Sequence, residues 1–228
     1  MELEKIEEII GVTFKDKEFL QTALTHRSYL NENRAFAKHN ERLEFLGDAV
    51  LELVTTEFLY RNYPNPEGEL TNWRSALVKT ETISGVSKEL GVEEYILMSR
   101  GESKSFGRSR QLILANTFEA IVGAIYLDRG LEVASIFITK NLFSKLDHIL
   151  EAKLYIDPKS QFQEMAQEKD GITPRYDVVS EEGPDHNKTF VVGVFIGEKK
   201  WGEGKGTSKQ VAQQSAAADA INRYMEKS

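Results

Sequence analysis

Apolar residues recur at helical spacing along the first two thirds of the chain and give way to strand-like alternation in the last third. Phe19, Leu20, Ala23 and Leu24 follow an i, i+1, i+4, i+5 pattern, the stripe of an amphipathic helix. Residues 43–60 predict one long helix, stopped by Tyr63-Pro64-Asn65-Pro66. Residues 70–90 predict a further helical region, with Gly91 placed to cap it. Residues 99–110 are polar and rich in Gly and Ser, as loops are. Residues 112–127 are apolar on most sides, which predicts a buried helix, and 131–153 read as a last helix. At Ile156-Asp157-Pro158 the grammar changes. A helix over 159–168 is followed by strand-like runs at 175–180, 189–196 and 199–204, then by an Ala-rich helix over 208–224. The expected fold is therefore multidomain: an all-α domain over 1–153, then a small α+β domain over 157–226 in the order α-β-β-β-α.

The octapeptide Glu41-Arg42-Leu43-Glu44-Phe45-Leu46-Gly47-Asp48 interrupts this pattern with charge. At ~100° per residue, Glu41, Glu44 and Asp48 fall within about 60° of one another on a helix. Leu46, Ala49, Val50 and Leu53 form a separate apolar stripe, taken here as the core side. Three like charges on one face repel. A solvated acidic face is one reading, and a divalent cation held by oxygen ligands is the other. Gly47, mid-helix, costs about 1 kcal/mol relative to Ala and suggests close approach by another backbone or a ligand. Phe45 lies off the core stripe, where an apolar ring invites a partner surface.

Within the apolar run 112–127, Asn116 and Glu119 share a face at i, i+3. A buried Glu calls for a partner, either an Arg from elsewhere or a metal ion. With Glu44 and Asp48 the pair would offer four oxygen ligands, leaving positions for water and a phosphate, as Mg²⁺ sites in phosphodiester chemistry do.

The octapeptide resembles the signature of the ribonuclease III family, double-strand-specific endoribonucleases. Ala23-Leu24-Thr25-His26-Arg27-Ser28-Tyr29, Glu67-Gly68-Glu69-Leu70 and Ala115-Asn116-Thr117-Phe118-Glu119-Ala120 resemble further blocks in the same order. The resemblance implies that Glu44, Asp48, Asn116 and Glu119 are metal ligands, Asp48 and Glu119 catalytic among them. It implies that Glu41 and Glu67 are outer acidic positions near a partner subunit's site, and that the chain is a homodimer; Phe45, apolar and off the core stripe, is expected at the dimer interface. The implied cofactor is Mg²⁺, with Mn²⁺ as a substitute. The implied products carry 5′-phosphate and 3′-hydroxyl ends, as in rRNA and mRNA precursor processing. One departure stands out: Asn116 occupies a position that is usually Asp. A neutral ligand lowers the charge count on which cation affinity depends, so the alternative is a catalytically weakened protein that grips duplex RNA.

The last third is similar to double-stranded RNA-binding domains: Asp157-Pro158-Lys159-Ser160 opens the first helix, Gly183-Pro184-Asp185-His186 the loop between the first strands, and residues 204–217 the second helix. A-form RNA is read by shape and 2′-hydroxyl contacts across its shallow minor groove. Gln163 and Glu164 suit 2′-hydroxyls, His186 the next minor groove, and Lys205 and Lys209 the phosphates between. Gln210 and Gln213 stand where Lys or Arg is frequent, which predicts weaker, salt-sensitive binding.

Charge complicates this reading. The net charge is −7, and residues 157–228 hold 10 Lys/Arg against 12 Asp/Glu. Composition alone points away from nucleic acid, so RNA binding has to rest on a local basic face. Arg100, Lys104, Arg108 and Arg110, in the loop over 99–110, are further candidates for phosphate contact. There are no cysteines, which excludes disulfides and thiolate zinc and suits a reducing compartment. With no secretory-type leader and no membrane-length apolar run, the expected setting is the cytoplasm and no membrane partner is expected.

Overall fold

The computed structural model describes residues 3–34, 37–184 and 188–225, in two compact units, Met1–Tyr155 and Ile156–Ser228. The first unit is helical: α1 (Leu3–Ile10), α2 (Lys17–Ala23), α3 (Glu41–Asn62), α4 (Glu67–Val78), α5 (Thr80–Leu90), α6 (Arg108–Arg129), α7 (Leu131–Asn141) and α8 (Leu146–Glu151). The two 22-residue helices, α3 and α6, form its centre. α6 is buried over much of its girth through Leu114, Phe118, Ile121, Val122 and Ile125, as its nearly all-round apolar pattern requires.

What lets α3 and α6 cross so closely is a pair of glycines. A Cβ on Gly47 would sit 1.7 Å from the carbonyl oxygen of Glu119, and one on Gly123 would sit 2.2 Å from that of Leu43. The two backbones are in direct contact at this point. The close approach suggested by a mid-helix Gly47 is therefore to another backbone.

The buried side of α3 is Leu43, Gly47, Val50, Leu51 and Val54. This corrects the expected core stripe: of its members only Val50 is buried, while Ala49 and Leu53 are exposed and Leu46 is half-buried. The helix is apolar on two sides, and periodicity alone does not say which side its own chain covers. Two more boundaries differ. The region 70–90 starts earlier and is two helices, broken where Lys79 adopts ψ 151. The expected helix over 131–153 stops at Asn141, and a 3-10 turn at Phe143–Lys145 precedes α8. That break lets the Phe143 ring stack on Phe58 at 4.0 Å, a contact worth roughly 0.5–1.5 kcal/mol beyond its buried area.

The second unit has the expected order: α9 (Pro158–Asp170), β1 (Arg175–Glu182), β2 (Thr189–Ile196), β3 (Lys199–Gly206) and α10 (Lys209–Met225). Asp157 caps α9 by accepting from the Ser160 N–H at 2.8 Å, with Pro158 in the first turn, where its missing N–H costs nothing. The sheet is antiparallel in the order β1-β2-β3. Val192, Val194 and Ile196 of β2 pack against Phe162 of α9 and against Ala212, Ala216, Ala220 and Tyr224 of α10. Gly202, Gly204 and Gly206 alternate along β3, and a Cβ on any of them would come within 2.1–2.5 Å of α10 backbone atoms. The period-2 glycines thus give α10 a seat directly on the strand.

Candidate functional site

The glycine crossing fixes which side chains of α3 and α6 meet. Glu44 and Asp48 flank Gly47, while Asn116 and Glu119 precede Gly123 by whole turns. Asn116 hydrogen-bonds the carboxylate of Glu44. Burial, followed by the charges of Asp48 and Glu44, pushes the Glu119 carboxyl up to about 8. Glu44 is also raised, first by burial and then by Glu41 and Asp48, against the opposing pull of Asn116. The structure therefore brings Glu41, Glu44, Asp48, Asn116 and Glu119 into one electrostatic cluster. The charges acting on Glu119 are those of Asp48 and Glu44, and no Arg is among them.

Glu67 is set differently. It opens α4, accepts from the Thr71 hydroxyl at 2.9 Å, and is not among the charges felt by Glu44 or Glu119. Glu41 is exposed and partnered, with Arg27 Nη1 at 3.3 Å and His39 Nδ1 at 3.9 Å. Neither partner was visible as such in the sequence.

The donor set is chemically suited to a hard divalent cation, because it is made of oxygens from three carboxylates and one amide. Among the described residues no three His, Cys, Asp or Glu side chains already converge as metal ligands. Glu119 carries the clearest sign of fit: a carboxyl held this far above its usual range gains from a cation beside it.

Phe45 is 83% exposed, in line with Leu53 at 55% and Tyr60 at 80% along the outer side of α3. Beside Phe45 lies an open groove of about 900 Å³, whose walls include Phe19, Leu46 and Leu127 together with Glu41 and Arg42.

In the second unit Gln163 and Glu164 are exposed on α9, as are Lys205 on β3 and Lys209 at the start of α10. His186 lies outside the described residues. Lys209 Nζ is 3.6 Å from Glu181 Oε1, and Lys188 is 3.4 Å from the other oxygen of the same carboxylate. Of the loop arginines, Arg108 and Arg110 belong to the first turn of α6. Arg110 is ion-paired with Glu93 at 2.7 Å and mostly buried, so it is not presented to phosphate. Lys159 is a residue that sequence reasoning missed. Its ammonium donates to Gln213 Oε1 at 2.8 Å, a contact between helices that no local pattern announces.

The family model for the ribonuclease-III-like domain matches residues 16–146, and that for the double-stranded RNA binding motif matches 158–224. The chain is 46% identical over 219 residues to ribonuclease 3 of Protochlamydia amoebophila, covering 96% of this chain and 90% of that one. It is 42% identical to ribonuclease 3 of a Roseiflexus species, covering 93% and 92%. A crystal structure of the nuclease domain of ribonuclease III from Campylobacter jejuni superposes with a TM-score of 0.56 at 39% identity, covering 62% of this chain and 93% of that domain. Two matched domains in this order, and full-length relatives well above 30% identity, show that the chain belongs to the ribonuclease III family.

Proposed function

We propose that the chain is a divalent-metal-dependent endoribonuclease that cuts double-stranded RNA as a homodimer and acts on structured RNA precursors in the cytoplasm. The observation that carries this reading is the glycine crossing, which sets Glu44, Asp48, Asn116 and Glu119 together in a chain that also carries a duplex-RNA-binding motif. Glu44, Asp48, Asn116 and Glu119 would hold the cation, with Mg²⁺ the expected ion and Mn²⁺ a substitute. When bound, it would lower the pKa of a water and offset charge on the leaving oxygen. The protein's own contribution is positional. Asn116 orients Glu44 through its hydrogen bond. Asp48 stands exposed at the mouth of the site. Glu119 sits deepest in charge terms, where ionisation is hardest without a cation. Rupture of the bond to the 3′ oxygen leaves 5′-phosphate and 3′-hydroxyl ends. Incubation of a uniform RNA duplex with the protein over a Mg²⁺ and Mn²⁺ titration, with chemical mapping of the ends, tests the reading. Intact duplex at every metal concentration would refute it.

The reading of a chain that grips RNA without cutting rests on Asn116 alone, and the persistence of Glu44, Asp48 and Glu119 weighs against it. Asn116→Asp is the discriminating variant. It removes a donor to Glu44 and adds a charge beside two carboxyls already shifted upward. On the order of a few kcal/mol of repulsion is added at an effective dielectric of 20. The variant should melt lower than the parent without metal, gain more from Mg²⁺, and need several-fold less Mg²⁺ for half-maximal cleavage. An unchanged Mg²⁺ requirement together with an unchanged Mg²⁺-induced rise in melting temperature would remove Asn116 from the ligand set.

The exposed stripe Phe45, Leu53, Tyr60 supports a two-fold interface, in which each α3 presents the same patch to its copy. Large exposed apolar side chains in line mark interaction surfaces. Phe45→Glu places a carboxylate in that patch and should shift the chain toward monomer in sedimentation at micromolar concentration. A parent that is itself monomeric, or a variant as dimeric as the parent, would sink the interface.

A further inference from the structure

We propose that Lys159, at the start of α9, is a phosphate-contacting cation of the duplex-RNA face, set over the first turns of α10 in the place of the charge that Gln213 lacks. The inference rests on the reading that this unit grips duplex RNA.

The first turns of α10 present Lys209, Gln210 and Gln213. Lys209 and Gln213 are at i, i+4 and share a face. Of the three, only Lys209 is charged, and Glu181 already faces it at 3.6 Å. The first turns of α10 are thus poor in free cation, which leaves Lys205 of β3 as the other cation assigned to phosphates. Lys159 remedies this from the neighbouring helix, with its Nζ 2.8 Å from Gln213 Oε1. Its charge therefore lies at the Gln213 amide.

The lysine is held at both ends. Its backbone N–H donates to Gln214 Oε1 at 3.2 Å, and its ammonium lies 5.1 Å from the centre of the Tyr176 ring. The nearest acid in sequence, Asp157, is engaged elsewhere. Asp157 Oδ1 accepts from the Ser160 N–H at 2.8 Å and Oδ2 from the Gln214 amide at 2.6 Å. Among the described residues Lys159 has no carboxylate within ion-pairing distance, whereas Lys188 and Lys209 share one. A cation in the first turn of α9 also stands against the helix dipole, which favours anions there. An approaching phosphate would satisfy both.

Position agrees with this role. Lys159 and Gln163 are at i, i+4, as are Ser160 and Glu164, so the lysine shares the α9 face assigned to the minor groove. Its ammonium reaches from that face to the α10 face assigned to phosphates. A positioned side chain loses less conformational freedom on binding than a free lysine does.

The test is a charge relocation in the full-length chain, read as duplex-RNA affinity against salt under non-cleaving conditions with Ca²⁺. K159Q should bind several-fold more weakly near 150 mM salt, with the slope of log affinity against log salt shallower by about one. Adding Q213K to K159Q should restore both affinity and slope, because the cation returns to the same place. Thermal melts of each variant report folding. Affinity and slope unchanged in K159Q would overturn the proposal, and so would a loss of affinity without a change of slope. Failure of Q213K to rescue a folded K159Q would do the same. If the parent itself does not bind duplex RNA, it is the underlying reading that fails.

Discussion

Glu119→Gln is expected to lower duplex-RNA cleavage by on the order of 10³-fold, about 4 kcal/mol of barrier, while leaving duplex affinity within about twofold. The grip on RNA is assigned to residues of the second unit, and the substitution keeps the volume of the side chain. It changes one thing at the crossing of α3 and α6, the charge available to a cation. The same variant has a signature in stability. In the metal-free parent Glu119 is raised from 4.5 in the free residue to about 8 by burial, Asp48 and Glu44. Between those values the folded protein holds a proton that the unfolded chain has released. The favourable contribution of protonated Glu119 is then fully present below about 4.5 and is lost as pH rises through 8. The parent without metal should therefore weaken across this window by on the order of a few kcal/mol. Glu119→Gln should be flatter there and melt higher at pH 8, and Mg²⁺ should close the gap. Cleavage by the variant at the parental rate would refute the role of Glu119. Parallel pH–stability curves for the two proteins would refute its environment.

Gly47→Ala should be the most destabilising small substitution in the first unit. Mid-helix, exchanging Gly for Ala ordinarily stabilises by about 1 kcal/mol. Here the added carbon would lie 1.7 Å from the carbonyl oxygen of Glu119 and 2.9 Å from the amide nitrogen of Gly123. Both are backbone atoms and cannot swing away, so α3 and α6 have to separate. A loss of roughly 3 kcal/mol or more is expected, at the upper end of overpacking costs. In a chain of this size that is a fall in Tm of about 6–12 °C. Gly85→Ala is the internal control: Gly85 lies within α5 and a Cβ there meets nothing within 4 Å, so this variant should melt slightly higher than the parent. A Gly47→Ala protein that melts with the parent would mean that the helices do not touch as described.

These expectations mix what was legible in the chain with what was not. The paired polar positions on α3 and α6 and the close approach at Gly47 were readable, because both break an otherwise consistent helical pattern. The α-β-β-β-α order was readable from the change of period after Pro158. The side of α3 that turns inward was not. Leu46, Ala49 and Leu53 make as good a stripe as Leu43, Val50 and Val54, and only the position of α6 decides between them. The break at Leu142 was also hidden, since no Pro or Gly marks it and it answers to Phe58, far away in sequence. Side-chain pairings such as Arg110 with Glu93 and Lys159 with Gln213 are tertiary events. They turn one expected phosphate contact inward and bring forward a lysine that no motif singles out.

The crossing of α3 and α6 also has a bearing on how the chain is made. Gly47 and Gly123 lie about 75 residues apart, and a ribosome adding about 5–20 residues per second needs roughly 4–15 s to pass from one to the other. Until α6 emerges, α3 lacks its main packing partner, and the side of Leu43, Val50, Leu51 and Val54 waits for it on the nascent chain. Assembly of the first unit therefore depends on a late closure between elements far apart in sequence, whose loop-closure entropy has to be overcome first. The second unit differs, since β3 and α10, which meet through the β3 glycines, are neighbours in sequence. Because the acidic residues come from both α3 and α6, their cluster does not exist in a growing chain before the second of these helices is complete.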